Sequence, residues 1–399
     1  MHLIVLYRQL GPYHRARLRA LAAGLDDAAV LGCEWVPHVA SGGADCPVVT
    51  LSEPAAAGHS GVAVWRRVQA ALRDARADVV AVPGWSDPLA LAAVAWARLR
   101  GLPVVLMADS TAADAARQPW REWLKRRVVA LADAALVAGH PHQDYVVRLG
   151  MPAQRVCLGY DVVDNGHFAA GAAAARADAQ RLRDRLGLPR RFFLASARFV
   201  PRKDLPLLLT AFARYRAAAG ADAWHLVVLG DGPLRGALAA QVAALGLRDS
   251  VQLPGVQGYD ALPAYYGLAA AFVHASRMDQ WGLVVNEAMA AGLPVIVSSG
   301  CGCAPDLVRD GDNGWVFPAG DAQALSHCLR RMAAASTDRA AMGAASAALI
   351  GHWGLERHVA GMRQAVALAR RHAAGRRRWR AWLHWPLLRV LALRRHVPL

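Results

Sequence analysis

"DQWGLVVNEAMAAGLPVIVSS" (residues 279–299) contains an acid, a helical run, a stop and a strand in 21 residues. The helix is expected from about Trp281-Gly282 to Ala291, with Val284, Val285, Ala288 and Met289 supplying its apolar positions. Gly292 suits the C′ position, and Pro294 leads into a β-branched strand. Asp279 then lies just ahead of the helix and Glu287 on its second turn, with no obvious Lys or Arg partner nearby in sequence for either acid.

Working outward, helices and short apolar strands alternate over the whole chain. Around the opening stretch the strand candidates are "FFLASARF" (192–199), "HLVVLG" (225–230), "VQLPG" (251–255), "AAAFVHAS" (269–276), "PVIVSS" (294–299) and "GWVFP" (314–318). An earlier series runs "HLIVLY" (2–7), "PVVTL" (47–51), "DVVAVP" (78–83), "PVVLMA" (103–108) and "AALVAG" (134–139), with amphipathic helices such as 14–25 and 64–76 between. Continuous apolar strands separated by helices indicate parallel sheets covered on both faces. The pattern breaks near 159–190. The fold class is therefore α/β: two Rossmann-like domains facing across a cleft, with ligands expected beyond the carboxyl ends of the strands. The boundaries read as 1–168 and 186–354, followed by 355–399, a C-terminal helix returning toward the first domain and a basic Trp-rich tail.

Composition narrows the function class. A chain of 399 residues that is 55% hydrophobic can fill two cores and is not disordered. The formal charge of +16 is carried by arginine, since Lys125 and Lys203 are the only lysines, and such a surface attracts phosphorylated ligands or anionic lipid. No helix-turn-helix, RRM or zinc-finger pattern points to nucleic acid. The six cysteines (33, 46, 157, 301, 303 and 328) form no CxxC and no His-Cys group of zinc-ligand spacing, so reduced cytoplasmic thiols and no metal are expected. The N-terminus lacks a signal-peptide pattern, and residues 89–97, the longest apolar run, stop at Arg98.

The second half carries the chemistry. Arg198 ends a strand and Lys203 begins a helix with Asp204 at its N-cap, a suitable place for a diphosphate. Gly230-Asp-Gly232-Pro233 is neither a dinucleotide fingerprint nor a P-loop and reads as a tight turn. The N–H groups of Gly282 and Leu283 can meet a phosphate, because glycine lets the backbone approach closely.

These motifs in order, Arg…Lys after a strand, GDGP, then acid-x-aromatic-Gly-x4-Glu-Ala-Met-Ala-x-Gly-Leu-Pro-Val and "CAPDLVRDGDNGWVFPAGD" (303–321), resemble family-4 retaining glycosyltransferases of the GT-B fold over about residues 190–320. "LGYDVVDNGHF" (158–168) resembles that family's interdomain segment more loosely. The resemblance implies that Glu287 binds the ribose hydroxyls of a nucleotide sugar and that Asp279, where the family usually has Glu, lies near the transferred sugar. It implies that Arg198 and Lys203 hold the diphosphate, that Val256 meets the nucleobase, and that the loop at Gly11 approaches the donor phosphate. Asp109 stands at the end of a strand where many members carry His. His14, His140 and His142 are further candidates in the first half.

The expected activity is transfer of a sugar from a nucleotide sugar to a saccharide or lipid-linked acceptor with retention, without a metal cofactor. The expected setting is cytoplasmic, in cell-surface polysaccharide or glycolipid synthesis. Two basic Trp-bearing segments, 120–132 and 375–399, suit an anionic membrane surface. The alternatives are an epimerase or hydrolase on the same fold, or a basic membrane- or nucleic-acid-binding protein.

Overall fold

A computed structural model describes residues 1–35, 47–51 and 61–374. The basic tail with Trp379, Trp382 and Trp385 lies outside the described residues. The chain divides into two compact units, 1–162 with 355–399, and 163–354.

The first unit is built on a seven-stranded parallel sheet: β1 (His2–Tyr7), β2 (Ala29–Glu34), β3 (Val48–Thr50), β4 (Val79–Pro83), β5 (Val104–Ala108), β6 (Ala134–Val137) and β7 (Val156–Leu158), in the order β3-β2-β1-β4-β5-β6-β7. Chain progression reverses between β1 and β4, the point where such sheets open toward ligands. The central strands are buried throughout because helices cover both faces, which is why they read as unbroken apolar runs. The run at 89–97 becomes helix Pro88–Arg100, buried almost all round in this core, and its Arg98 donates to the buried Asp133 at 2.7 Å. Among the described residues no helix is long and apolar enough to cross a membrane.

Two strands are absent from the sequence reading. β2 is broken in pattern by Gly32 and the buried Glu34, whose carboxylate accepts from the Leu10 amide at 2.9 Å and from Thr50 Oγ1 at 3.1 Å. β7 has only three residues, too few to show a period.

The long helix Leu355–Ala374 completes the first unit. Met362, Ala365, Val366 and Ala369 join the core that holds Leu3, Val5 and Leu136. Burying each large apolar side chain contributes roughly 1.5–3 kcal/mol. Close approach at Gly361 brings the helix against the Leu158 carbonyl, and His358 Nδ1 bonds to the Gly159 carbonyl at 2.8 Å.

The second unit has a six-stranded parallel sheet, β8 (Phe192–Ser196), β9 (His225–Leu229), β10 (Val251–Gly255), β11 (Ala271–His274), β12 (Val295–Ser298) and β13 (Gly314–Phe317), in the order β10-β9-β8-β11-β12-β13. Its switch point lies between β8 and β11. The sequence puts the first domain's end at 168, whereas helix Asn165–Ala177 already belongs to the second unit. The reason is packing. Gly171 and Gly267 let that helix meet helix Leu262–Leu268 almost backbone to backbone, and Asn165 Nδ2 donates to the Ile350 carbonyl at 2.8 Å.

Candidate functional site

In the second unit, three segments converge at the carboxyl edge of β8 and β11. After β8 the chain passes Arg198 and a short 3-10 turn, Pro201–Lys203, before helix Leu205–Ala219. After β11 it passes Asp279 and enters helix Leu283–Ala290 with Glu287 on the second turn, ending at Gly292 in the left-handed region. After β12, Gly300 to Cys303 run back beside Asp279. The Asp279 amide donates to the Gly300 carbonyl at 3.0 Å, and the Gly302 amide to the Asp279 carbonyl at 2.9 Å.

The glycine turn fixes the Arg198 loop. Gly230 and Gly232 have φ of +119° and +154°, and a Cβ on Gly230 would lie 1.9 Å from the Ala197 carbonyl oxygen. The Phe199 amide donates to the Asp231 carbonyl at 2.8 Å. Only glycine allows this contact, so the turn's role is to hold the segment that presents the exposed Arg198.

Several expectations change in detail. Asp279 has no basic partner nearby in sequence but meets one through the fold: Lys203, 76 residues away, donates to its Oδ2. Lys203 therefore already has a carboxylate partner, which a diphosphate would have to replace. Asp204 occupies the N-cap position but makes no capping bond. It sits at φ +47°, and its carboxylate pairs with Arg277 at 2.9 Å. Gly282 is buried rather than exposed, packed on Cys301 Sγ at φ +101°, and Leu283 is half-buried. Glu287 is fully buried, and its Oε2 accepts from the Tyr266 hydroxyl at 2.5 Å. Val256 lies after β10, 73% exposed.

Around Asp279 the structure adds His274 and Cys301, neither of which the sequence analysis places there. His274 Nε2 lies 2.8 Å from Asp279 Oδ2, and Cys301 Sγ lies 2.7 Å from the Trp281 carbonyl and 3.5 Å from Cys303 Sγ. Burial disfavours the His274 cation, but Cys301 and Asp279 outweigh it and raise its pKa to about 9. Burial likewise opposes the Asp279 anion, and His274 with Lys203 overcomes it, holding the carboxyl well below its usual range. The signal available in sequence was only a strand-end His five residues before an acid, which is common in cores.

In the first unit, a pocket of about 470 Å³ opens at the switch point between β1 and β4, lined by Tyr7, Arg8, Gln9, His14, Pro83 and Tyr160. Gly11 starts helix Pro12–Gly24, with its amide donating to His14 Nδ1 at 3.2 Å. Asp109 follows β5. Burial, then the neighbouring Asp161, raises its pKa to about 7, against a lowering by His142. Asp161 is held by the buried Arg17 at 3.1 Å. Of the three histidine candidates, His14 lies with its ring tilted 4.5 Å from that of Tyr7, His142 is buried near Asp109, and His140 is exposed. At 55% and 52% exposure, Trp120 and Trp123 on helix Pro119–Val129 stand with Arg121 and Arg127 over their rings.

Comparison with known proteins adds the family. Residues 178–348 match the family described as "Glycosyl transferases group 1", and residues 7–160 match "Glycosyl transferase 4-like domain". Among curated relatives, the alpha-D-kanosaminyltransferase of Streptomyces kanamyceticus is 28% identical over 246 residues, 59% of this chain and 62% of the relative. The D-inositol 3-phosphate glycosyltransferase of Streptomyces scabiei is 31% identical over 281 residues, 67% of this chain and 60% of the relative. The chain thus spans less than two thirds of these relatives' lengths. Among solved structures, Anabaena HepE in complex with UDP and glucose superposes with a TM-score of 0.71 at 19% identity, over 92% of this chain and 99% of that one. Sucrose-phosphate synthase from Thermosynechococcus elongatus gives 0.72 at 20% identity, over 91% and 97%. At such identities the structures speak for the GT-B fold. Together with the two domain matches they support a GT-B glycosyltransferase of the GT4 type.

Proposed function

We propose that this GT-B glycosyltransferase moves a sugar from a nucleotide sugar to a saccharide or lipid-linked acceptor with retention, in the synthesis of cell-surface polysaccharide or glycolipid. The observation that carries the reading is the convergence of Arg198, Lys203, Asp279 and helix Leu283–Ala290 at the switch point of the second sheet. In this reading the second unit takes the donor. Arg198 and Lys203 neutralise the diphosphate as it leaves, with Lys203 exchanging Asp279 for phosphate oxygen, so that no metal cofactor is needed. Asp279, released from the ammonium, accepts from a sugar hydroxyl. Glu287 accepts from the ribose 2′- and 3′-hydroxyls as the Tyr266 hydroxyl gives way, since a carboxylate has acceptors for two donors. Val256 contacts the base, and the Gly282–Leu283 backbone takes phosphate.

The first unit then takes the acceptor. Gly11 caps the helix whose His14 lines the pocket, and its loop approaches the donor phosphate, while Asp109, with its pKa near neutrality, can donate to or accept from a sugar hydroxyl. With no carboxylate assigned as nucleophile, the reaction proceeds by front-face displacement assisted by the departing diphosphate. Exposed Trp120 and Trp123 with their arginines support docking of the first unit on an anionic membrane surface from the cytoplasmic side.

The test is a thermal-shift panel of UDP-, GDP- and ADP-sugars on the wild type and Glu287→Gln, which keeps an acceptor for Tyr266. One nucleotide sugar should raise the melting temperature of the wild type and not of the variant, and incubation with it should yield a glycosylated acceptor. An equal shift in both proteins would remove Glu287 from the donor site. Free sugar as the sole product would favour a hydrolase.

A further inference from the structure

The region beside Gly282 gathers three metal-ligand side chains, although the cysteines and histidines match none of the usual zinc motifs in their sequence spacing. His274 ends β11, Asp279 follows five residues later, and Cys301 comes from the segment after β12. One ligand atom from each, an imidazole nitrogen, a carboxylate oxygen and a sulfur, lies within 4.8 Å of the other two. All three pack against Gly282, where no side chain could be accommodated. A Cβ placed on Gly282 would be 2.6 Å from Cys301 Sγ, 3.5 Å from His274 Nε2 and 3.7 Å from Asp279 Oδ2.

The scaffold is fixed independently of any ligand. Asp279 and Cys301 form a parallel β-bridge, the Cys303 amide donates to the Trp281 carbonyl at 3.1 Å, and His274 and Cys301 are buried. Ligands carried on paired backbone need little ordering when a cation arrives. Other polar neighbours of these atoms include Lys203 Nζ on Asp279 Oδ2, Ser276 Oγ at 3.0 Å from His274 Nε2, and, around Cys301 Sγ, the Trp281 carbonyl that accepts from it at 2.7 Å and Cys303 Sγ at 3.5 Å.

We propose that His274, Asp279 and Cys301 form a binding site for a thiophilic divalent cation of the Zn2+ class. Imidazole, carboxylate and thiolate together suit zinc and not magnesium or calcium, which take oxygen ligands. Three protein ligands leave a fourth tetrahedral position for water. A bound cation would replace the hydrogen bond between His274 Nε2 and Asp279 Oδ2, which are 2.8 Å apart. The cation takes the carboxylate oxygen that Lys203 now holds, so metal and ammonium compete for Asp279. Zinc on this site is a competitor of the charge arrangement invoked for the donor and has no part in the transfer step.

The site can be read without activity. Full-length protein, reduced and freed of metal by chelator, is titrated with Co2+ and then with Zn2+. The expected result is one equivalent of Co2+ with a sulfur-to-cobalt charge-transfer absorption and tetrahedral visible bands, displaced by one equivalent of Zn2+. Cys301→Ser should abolish the charge-transfer absorption, and His274→Gln should weaken Zn2+ binding at least about tenfold, in the range seen when metal-site partners are removed. Cys33→Ser, a buried thiol in the other unit, should leave both unchanged. Circular dichroism confirms that each variant is folded. Absence of a thiolate band in the wild type, or a band that survives in folded Cys301→Ser, overturns the proposal.

Discussion

Asp109 offers a prediction whose sign and size both follow from the structure. Burial first, and then the nearby Asp161, raise its carboxyl pKa from the ordinary 3.8 to about 7. Between those values the folded protein keeps a proton that the unfolded chain releases, so stability falls as pH rises through the window and levels off above pH 7. At about 1.4 kcal/mol per pKa unit, the cost is about 2 kcal/mol at pH 5 and about 4 kcal/mol at pH 8. Asp109→Asn keeps the shape and removes the ionisation. Its stability relative to wild type should therefore improve by about 2 kcal/mol between pH 5 and pH 8, which at 2–4 °C per kcal/mol is a melting-temperature gap widening by roughly 4–8 °C. Differential scanning calorimetry of both proteins without ligand, in matched ionic strength, reads the gap directly. A gap that stays constant across that range refutes the reasoning, because a carboxyl with an ordinary pKa is ionised at both pH values in the folded and unfolded chain.

Two further perturbations test the supports of the two sites. Arg17→Ala leaves Asp161 buried without its guanidinium, since the pair's side chains are only 1% and 8% exposed, and should cost about 3–5 kcal/mol by thermal unfolding. Arg17→Met with Asp161→Asn should recover much of that loss, and no recovery would show that the charge pair is not the cause. Gly230→Ala places a methyl against the Ala197 carbonyl at a φ of +119°, where an L-residue alone costs about 1–2 kcal/mol. The melting temperature of the second unit should fall by at least about 5 °C, and an unchanged melt would mean that the turn does not hold the Arg198 loop.

The sequence by itself determined the architecture. Strands buried on both faces must be apolar throughout, and the helices that cover them must be amphipathic, so β1, β4, β5, β6 and the strands of the second sheet were visible as short runs between helical ones. It also determined where Asp279 and Glu287 fall relative to their helix, because Gly292 and Pro294 mark its end in one dimension. β2 was hidden because its acid, Glu34, is satisfied by Leu10 and Thr50, partners that a linear pattern does not contain. The junction near 163 was misplaced because helix Asn165–Ala177 belongs to the second unit through glycine-mediated contacts with a helix almost a hundred residues later. The chemistry around Asp279 was decided only in three dimensions. Lys203, His274 and Cys301 arrive there from the ends of three different strands, and a parallel sheet gathers strand ends at one edge however far apart they stand in the chain. Periodicity reports which face a residue occupies. Which charge it meets depends on strand order, and strand order is set by how the whole sheet packs.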